Sequence, residues 1–195
     1  QLFKLNKIRA ASIGTLGIES NLFKKKTNLT SPDPLLLHKS LSELKKRGIN
    51  NVVIEASSHG LDQKRLNNIT FKAAVFTNLS RDHLDYHKNM NNYLNSKIYL
   101  FNNLLNKKAC CITDKDNFFY KKLKKISKRK KIDINSIGNE CGNLKILSQK
   151  NENDFQNIKF FYNNKTYEFK TSLFGQYQIK NLLFAILLAE RCGLS

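Results

Sequence analysis

The stretch FKAAVFTNLSRDHLDYH, Phe71 to His87, joins an apolar run to a turn crowded with ionisable groups. Its first part, around Ala73 to Phe76, has the composition of a buried strand. Its last ten residues hold two of the four histidines in the chain, two aspartates and an arginine. In α/β proteins, ligands bind beyond the carboxyl ends of parallel strands. The stretch therefore predicts both a strand of an α/β fold and a functional site at its end.

Other apolar runs predict strands of the same kind, at 10–14 (AASIG), 52–56 (VVIEA) and 109–113 (ACCIT). Apolar residues at helical spacing lie between them and predict helices over 34–48, 89–103 and 116–128. We expect residues 18–33 to form a loop, with Thr30 or Ser31 capping the first of these helices. Strands that alternate with helices predict an α/β fold with a mostly parallel sheet flanked by helices.

The pattern changes after Leu144. Over 144–173 the apolar and polar residues alternate around Asn163-Asn164, which predicts a small antiparallel portion containing a hairpin. A last helix is predicted over 179–192, where Gly193 ends it. No repeat or linker interrupts the chain, so we expect residues 1–195 to form one domain.

The charge of the chain leaves more than one class of partner open. Lysine and arginine total 34 against 15 acidic residues, a net charge of +19, which is compatible with a polyanionic partner. The densest basic run, KKLKKISKRKK at 121–131, carries apolar residues only at Leu123 and Ile126, a helical spacing. That pattern favours a solvated amphipathic helix over a nucleic-acid-binding surface.

Composition argues against several other classes. No run approaches the roughly 18 apolar residues of a membrane span, and the start, QLFKLNKIRA, lacks the apolar region of a signal peptide. The spacing of the four cysteines fits no C-x-x-C knuckle. We therefore expect reduced thiols packed as small apolar groups in a cytoplasmic protein. The chain does not begin with methionine, and we expect it to be a fragment.

Two predicted strand ends carry groups suited to a cation. Glu55 closes the run VVIEA, and His83 lies in the turn after Phe76. If the two strands are neighbours, these side chains converge, and a carboxylate with an imidazole forms a plausible site for a divalent ion, although Mg²⁺ prefers oxygen. The alternatives are an ion pair of Glu55 with Arg65 or Arg81, and histidines that merely lie on the surface of a short helix.

Several segments together resemble one family. ASSHGLDQKR at 56–65 and FKAAVFTNLSRDHLDYHKNMNNYLNSKIYLF at 71–101 are similar to the central domain of the Mur ligases. So are SIGTLG, LTSPDPLLLH and LFGQYQIKNLLFAILLA, so the resemblance covers nearly the whole chain. Within the family it is strongest to the branch that adds the third residue of the peptidoglycan stem peptide.

The resemblance implies a reaction and a metal site. Family members use ATP and Mg²⁺ to phosphorylate a substrate carboxylate, and an amine then attacks the acyl phosphate to form an amide. By similarity, Glu55 and His83 would hold Mg²⁺ together with Lys97, which matches a carbamylated lysine. CO₂ on a neutral amine creates a carboxylate, the hard oxygen ligand that such a site needs. The alternative for Lys97 is an ordinary lysine on a helix surface.

The resemblance also implies substrate contacts. The substrates would be UDP-N-acetylmuramoyl-dipeptide and an amino acid, either meso-diaminopimelate, the commoner case, or lysine. The residues that match the dipeptide contacts are Thr30, Ser31, Ser57, Gln63 and Arg65. Their hydroxyl, amide and guanidinium groups suit carboxylates and a diphosphate. Ser31 stands where a second threonine is usual.

On the nucleotide side, Asn181 matches an adenine-side asparagine, whereas Gln178 stands where another asparagine is expected. None of the eight glycines is followed by lysine, so no G-x-x-x-x-G-K-[ST] loop is present. We expect that loop to lie upstream of Gln1, and the UDP-binding and amino-acid-binding domains to be absent. The chain would then be a monomeric central domain that is inactive alone.

Other interpretations remain. The chain could be another amide ligase of the superfamily, such as a folylpolyglutamate type, or a degenerate member without activity. A basic nucleic-acid-binding module is the alternative from a different class. It predicts binding that weakens steeply with salt, and it leaves Glu55, His83 and Lys97 without a shared role.

Overall fold

The computed structural model describes residues 2–194. The chain packs into two compact units. The first unit runs to Thr70 and continues over 81–104, and the second comprises 71–80 and 105–193.

The first unit contains a four-stranded sheet. Its strands are β1 (Ala10–Gly14), β2 (Gly17–Ser20), β3 (Lys24–Lys25) and β4 (Asn51–Ile54), in the order β3-β2-β1-β4. Strands β1 and β4 are parallel, with Ile13 opposite Ile54, and the other pairs are antiparallel. The helices of this unit are α1 (Leu2–Leu5), α2 (Pro34–Lys46), α3 (Ser58–Asp62), α4 (Leu84–His87) and α5 (Met90–Tyr99), which continues as a π-helix over Leu100–Leu104.

Two residues at the start of α2 explain why the helix begins there. Pro34 suits the first turn, because its nitrogen has no hydrogen to leave unpaired. Asp33 caps the helix by accepting from the Leu36 backbone N–H at 3.0 Å. The expected cap at Thr30 or Ser31 is therefore wrong. The expected loop over 18–33 is also wrong in part, since most of β2 and all of β3 lie within it.

The second unit contains a six-stranded sheet. Its strands are β5 (Phe71–Phe76), β6 (Leu105–Asp114), β7 (Asp133–Gly138), β8 (Leu144–Glu152), β9 (Phe155–Tyr162) and β10 (Lys165–Thr171), in the order β10-β9-β8-β7-β6-β5. Strands β5 to β8 are mutually parallel, and β8 to β10 are antiparallel. Its helices are α6 (Tyr120–Lys130) and α7 (Gln176–Arg191). The predicted mostly parallel sheet with an antiparallel portion is confirmed.

The core of the second unit forms between the sheet and α7. Ile112, Ile137 and Ile158 of the sheet join Ile179, Leu183 and Leu187 of α7 in one buried cluster. Burial of each such side chain contributes roughly 1.5–3 kcal/mol. The hairpin between β9 and β10 turns at Asn163 and Asn164, which both have positive φ, the conformation that asparagine tolerates in a two-residue turn.

Helix α6 contains most of the basic run. Leu123 and Ile126 are buried, while the flanking lysines face solvent. The interpretation of this run as a solvated amphipathic helix is therefore supported. Within the described part of the chain, no helix combines the length and apolar character needed to cross a membrane.

The thiols are only partly as expected. All four cysteines are free, and Cys111 is buried. Cys141 and Cys192 are exposed, so the expectation that they pack as small apolar groups is wrong for these two.

Candidate functional site

The carboxylate of Glu55 lies just beyond the paired ends of β1 and β4. The Glu55 backbone N–H donates to the Ile13 carbonyl at 2.8 Å, which extends the parallel pairing of β1 and β4 by one residue. A Cβ on Gly14 would stand 2.6 Å from Glu55 Oε2. Glycine at position 14 is therefore what allows the glutamate to lie across the end of β1.

Thr15 holds this carboxylate. Its backbone N–H and its hydroxyl both donate to Glu55 Oε2, at 2.9 and 3.0 Å. Within residues 2–194, Glu55 forms no ion pair, so the alternative pairing with Arg65 or Arg81 is not observed. Sequence reasoning did not assign Thr15 to the site, although it lies within the SIGTLG segment.

Ser31 ties the end of β4 to the start of α3. Its hydroxyl donates to the Glu55 carbonyl at 2.9 Å and accepts from the Ser57 backbone N–H at 2.9 Å. The Ser57 hydroxyl caps α3 by accepting from Gly60 N–H at 3.1 Å. Ser31 is fully buried, and a Cβ on Gly60 would lie 2.5 Å from its Cβ. Burial favours a role for Ser31 in holding Ser57 and the strand end in place.

Arg65 joins the same network. Its Nη1 donates to the Ser31 carbonyl at 3.0 Å, and its Nε donates to Gln63 Oε1 at 2.9 Å. Gln63 Nε2 in turn donates to the Tyr86 hydroxyl at 3.2 Å, and that hydroxyl donates to Asp62 at 2.9 Å. Four of the five residues expected at the dipeptide therefore belong to one hydrogen-bonded network, to which the structure adds Tyr86 and Asp62. The fifth, Thr30, contacts the Thr15 hydroxyl at 3.1 Å.

His83 lies immediately before α4 in the left-handed region, at φ 56°. Its backbone N–H donates to Asp82 Oδ1 at 2.8 Å, and its Nε2 lies 3.6 Å from Asp82 Oδ2. Its ring contacts His59 edge-on, with centroids 5.0 Å apart, and Tyr93 at 5.9 Å. The side chain remains 45% exposed, so the ring is accessible to a ligand.

Lys97 lies on α5, half buried. Its Nζ is 5.1 Å from the centre of the Tyr93 ring, so His83 and Lys97 share this contact residue. Burial lowers the pKa of Lys97 below its ordinary value, and the charge of Asp82 opposes that change. A lowered pKa increases the fraction of neutral amine, the form that reacts with CO₂. Lys97 is therefore less exposed than an ordinary lysine on a helix surface.

His87 belongs to the packing behind the site. It is 4% exposed, its ring stacks on Tyr93 at 5.1 Å, and its Nε2 has no hydrogen-bond partner. Burial, and next the neighbouring His59, lower the pKa of His87, which favours the neutral ring. The alternative that both histidines of the DHLDYH segment lie on the surface is therefore wrong for His87.

The donor groups of this unit fit a divalent cation only in part. Across residues 2–194 no group of three or more His, Cys, Asp or Glu is arranged to hold a metal. Glu55 Oε1 accepts no hydrogen bond from these residues, so it is open to a cation. A carbamate on Lys97 would add oxygen donors beyond those four residue types. Such oxygens are what a hard cation prefers. Glu55 contacts Thr15, whereas His83 and Lys97 contact Tyr93.

The second unit has a groove of about 240 Å³ at the carboxyl ends of β5 and β6. Its lining comes from three segments. They are Thr77 to Ser80, the end of β6 and the loop after it with Asp114, Asp116 and Asn117, and the first turns of α7 with Gln176, Tyr177, Lys180 and Asn181. Asn181, which the resemblance assigns to the adenine side, is thus one of the lining residues. Gln178 is exposed on the first turn of α7 and is not among the lining residues.

An ion pair fixes one wall of this groove. Lys180 Nζ lies 2.6 Å from Asp114 Oδ2, and the Asp114 side chain is 3% exposed. Asn117 Nδ2 donates to the same oxygen at 2.6 Å, and Asp116 N–H donates to Asp114 Oδ1 at 2.9 Å. Asp114 thus holds both the loop after β6 and the start of α7. Sequence reasoning missed it, although it directly follows the predicted strand ACCIT.

Comparison with known proteins identifies the family. Residues 1–189 match the Mur ligase middle domain. The UDP-N-acetylmuramoyl-L-alanyl-D-glutamate–2,6-diaminopimelate ligase of Rickettsia bellii is 40% identical over 189 residues, which are 95% of this chain and 40% of that protein. The corresponding ligase of Brucella melitensis is 36% identical over 94% of this chain and 38% of its own length.

Solved structures of Mur ligases have the same fold as this chain. A structure of a UDP-N-acetylmuramoyl-L-alanyl-D-glutamate–2,6-diaminopimelate ligase superposes with a TM-score of 0.88 at 28% identity, over all of this chain and 40% of that one. MurF ligase from Thermotoga maritima, in complex with ADP, gives a TM-score of 0.71 at 15% identity, over all of this chain and 42% of that one, which shows a common fold. The chain thus spans about 40% of the length of the curated relatives it matches. On the match of residues 1–189 and on these identities, the chain belongs to the Mur ligase family.

Proposed function

We propose that the complete protein is a cytoplasmic ligase of the MurE type. It would use ATP to join UDP-N-acetylmuramoyl-L-alanyl-D-glutamate to meso-diaminopimelate in peptidoglycan synthesis. Relatives named for this reaction are 34–40% identical over 94–100% of the chain. The observation that carries the proposal is that Glu55, Ser57, Gln63 and Arg65, all expected from the resemblance, share one hydrogen-bonded network.

The first unit would bind the dipeptide substrate. Arg65 supplies hydrogen-bond donors, and a guanidinium suits the carboxylates of such a substrate. The Ser57 hydroxyl donates to Ser31 Oγ at 3.1 Å and would therefore act toward the substrate as an acceptor. Gln63 orients Arg65, and Tyr86 and Asp62 hold Gln63 from behind. Ser31 is buried and keeps Ser57 in place. Thr30 contributes a hydroxyl beside Thr15.

The same unit would hold Mg²⁺ through Glu55, His83 and a carbamate on Lys97. Bound there, Mg²⁺ would supply positive charge that stabilises the negative charge of phosphoryl transfer. Glu55 contributes the oxygen that accepts no internal hydrogen bond. The Tyr93 ring contacts both the His83 ring and Lys97 Nζ, so the two side chains lie against one aromatic ring.

The second unit would bind the adenosine part of ATP in the groove beside α7. Asn181 offers an amide that can donate to and accept from an adenine edge. Gln178 would contribute less to nucleotide binding, because it is exposed to solvent and does not line the groove. The chain has no G-K-[ST] sequence, so we propose that groups outside these 195 residues hold the β- and γ-phosphates.

The chemistry follows from the resemblance. A carboxylate oxygen of the dipeptide attacks the γ-phosphorus, ADP leaves, and an acyl phosphate forms. The amine of the incoming amino acid attacks the acyl carbon, phosphate leaves, and the amine proton is lost to a base. The chain alone would be inactive, since the phosphate-binding groups are not within it.

The test is a ligation assay on the complete gene product. We expect ATP-dependent release of ADP and phosphate together with a mass increase of the UDP-dipeptide by one diaminopimelate residue. Lysine offered instead of diaminopimelate decides which amino acid is used. Absence of product with both amino acids, from a folded protein, contradicts the proposal.

A variant of that protein tests the lysine. We expect Lys97→Ala to lose ligation, because the carbamate oxygens are lost, with partial recovery when short carboxylic acids are added. Lys39→Ala, which replaces an exposed lysine of α2, is the matched control and should retain activity. Full activity of Lys97→Ala would remove this lysine from the mechanism.

A further inference from the structure

We propose that Thr15 is a positioning residue, which presents one oxygen of Glu55 to the divalent cation and links that carboxylate to the Thr30 hydroxyl. The inference rests on the proposed function, because it concerns the same cation site. It adds a residue that the resemblance did not assign, and it specifies how the glutamate is held.

The first support is the pattern of donors at Glu55. Both donors of Thr15 reach the same atom, Oε2, at 2.9 and 3.0 Å. Two donors from one residue fix the position of that oxygen. The other oxygen, Oε1, accepts no hydrogen bond within the described residues. An exposed glutamate without such donors would sample several rotamers, so the cation would bear the entropic cost of ordering it.

The second support is the close packing of the turn that carries Thr15. It lies in the turn between β1 and β2, which pair from Gly14 and Gly17 onward. Gly17 has φ +93°, and a Cβ there would lie 2.3 Å from the Lys25 carbonyl oxygen. At the other end of the turn, a Cβ on Gly14 would lie 2.6 Å from Glu55 Oε2. The two glycines let the turn pack tightly against β3 and Glu55, and the turn then fixes Thr15.

The third support is the contact with Thr30. The two hydroxyl oxygens are 3.1 Å apart. A hydroxyl has a single proton, and Thr15 uses its proton on the Glu55 carboxylate, which can only accept. The proton between the two threonines therefore comes from Thr30. The resulting chain, Thr30 to Thr15 to Glu55, has one direction and joins a residue of the dipeptide subsite to the cation ligand.

The direct test measures metal binding without turnover. Mn²⁺, a paramagnetic substitute for Mg²⁺, is titrated into the complete protein, and the free ion is followed by electron paramagnetic resonance. We expect Thr15→Val to raise the Kd for Mn²⁺ by roughly tenfold, the size of effect seen when a partner that orients a metal ligand is removed. Thr15→Ser keeps the hydroxyl and should bind as the wild type does. Thr70→Val, at an exposed threonine, is the matched control.

A second measurement needs no variant and so does not depend on how a variant folds. In the ¹⁵N-labelled wild-type protein, Mg²⁺ should shift the backbone amide resonance of Thr15, because that N–H donates to the carboxylate that binds the ion. The amide of Thr70 should not shift. A Thr15 resonance that stays in place while Mg²⁺ demonstrably binds would overturn the proposal.

The outcomes separate this inference from the proposed function. Wild-type protein that neither binds Mn²⁺ nor ligates contradicts the function itself. Wild-type protein that binds Mn²⁺, with Thr15→Val binding equally well, contradicts only the role of Thr15. Weaker binding in Thr15→Val that Thr15→Ser restores supports it, since a purely structural loss would not be repaired by the smaller side chain that retains the hydroxyl.

Discussion

At the scale of single residues, the site depends on small side chains as much as on reactive ones. Gly14 leaves room for Glu55, and Gly60 leaves room for Ser31. In both cases an added methyl group would overlap with a side chain that the network needs. The chemistry of the site therefore depends on two positions that contribute no functional group.

Gly14→Ala tests this dependence. We expect the added Cβ, 2.6 Å from Glu55 Oε2, to displace the carboxylate. The cost to stability should be small, because the nearest atom is the end of an exposed side chain that can move, whereas metal affinity should fall. Thermal unfolding and Mn²⁺ titration of the complete protein measure the two effects. Unchanged metal affinity would show that Glu55 tolerates a shift.

Residue types in the sequence indicated Glu55 and His83, because carboxylates and imidazoles are recognisable ligands, whereas Lys97 was indicated only by the resemblance to the family. Thr15 could not be recognised in the same way, since a threonine in a turn is common and its hydrogen-bond partner is 40 positions away. Ser31 was expected to touch substrate, yet its burial became visible only in the structure. Residue chemistry predicts candidates, whereas their direct or indirect role depends on packing between distant segments.

At the scale of elements, α7 is held to the end of β6 by one nearly buried ion pair. The Lys180–Asp114 contact, at 2.6 Å, lies directly before Asn181 on the helix. Asp116 adds a longer contact to the same lysine at 3.8 Å. The position of the expected adenine-side amide therefore depends on this pair.

Lys180→Met tests the pair. The substitution leaves the Asp114 carboxylate with Asn117 and its own loop as donors but without a cation, and we expect a loss of about 1–3 kcal/mol in unfolding free energy. Weaker ADP binding by calorimetry should accompany it. Lys165→Met, at an exposed lysine of β10, is the matched control. Equal ADP affinity in both variants would contradict a role for the pair in nucleotide binding.

Elements with a strong local pattern were predictable. The paired apolar positions of α6 and the Asn-Asn turn after β9 are decided by neighbouring residues. The short strand β3, which consists of two lysines, has no such pattern. The sequence suggested β4 and β5 as possible neighbours, but they lie in different sheets. Strand order depends on contacts between distant segments, which periodicity does not contain.

At the scale of the whole molecule, the excess of positive charge and the buried thiol change the stability of the fold in opposite directions as the solution becomes alkaline. A net charge of +19 at pH 7 repels itself, and this repulsion weakens as lysines lose protons. Cys111 acts the other way. Burial raises the pKa of its thiol to about 12, so the native state keeps a proton that the unfolded state releases near pH 8.5.

The thiol therefore contributes stability that is fully present below about pH 8.5 and is lost as pH rises toward 12. We expect the unfolding free energy of Cys111→Ala to fall less steeply over this window than that of the wild type. Cys141→Ala, at an exposed thiol, should keep the wild-type slope. Urea unfolding at a series of pH values measures the difference, and parallel slopes in all three proteins would contradict it.

The direction of the hydroxyl chain at Thr30 has a consequence for substrate selection. Because the Thr30 proton is directed to Thr15, its oxygen presents only lone pairs to a bound molecule. A molecule bound beside Thr30 would have to offer it a donor, such as an amide hydrogen or a sugar hydroxyl, rather than a bare carboxylate or phosphate oxygen. In the proposed substrate complex, Thr30 would therefore face a neutral donor of the dipeptide, and Arg65 would face its anionic groups.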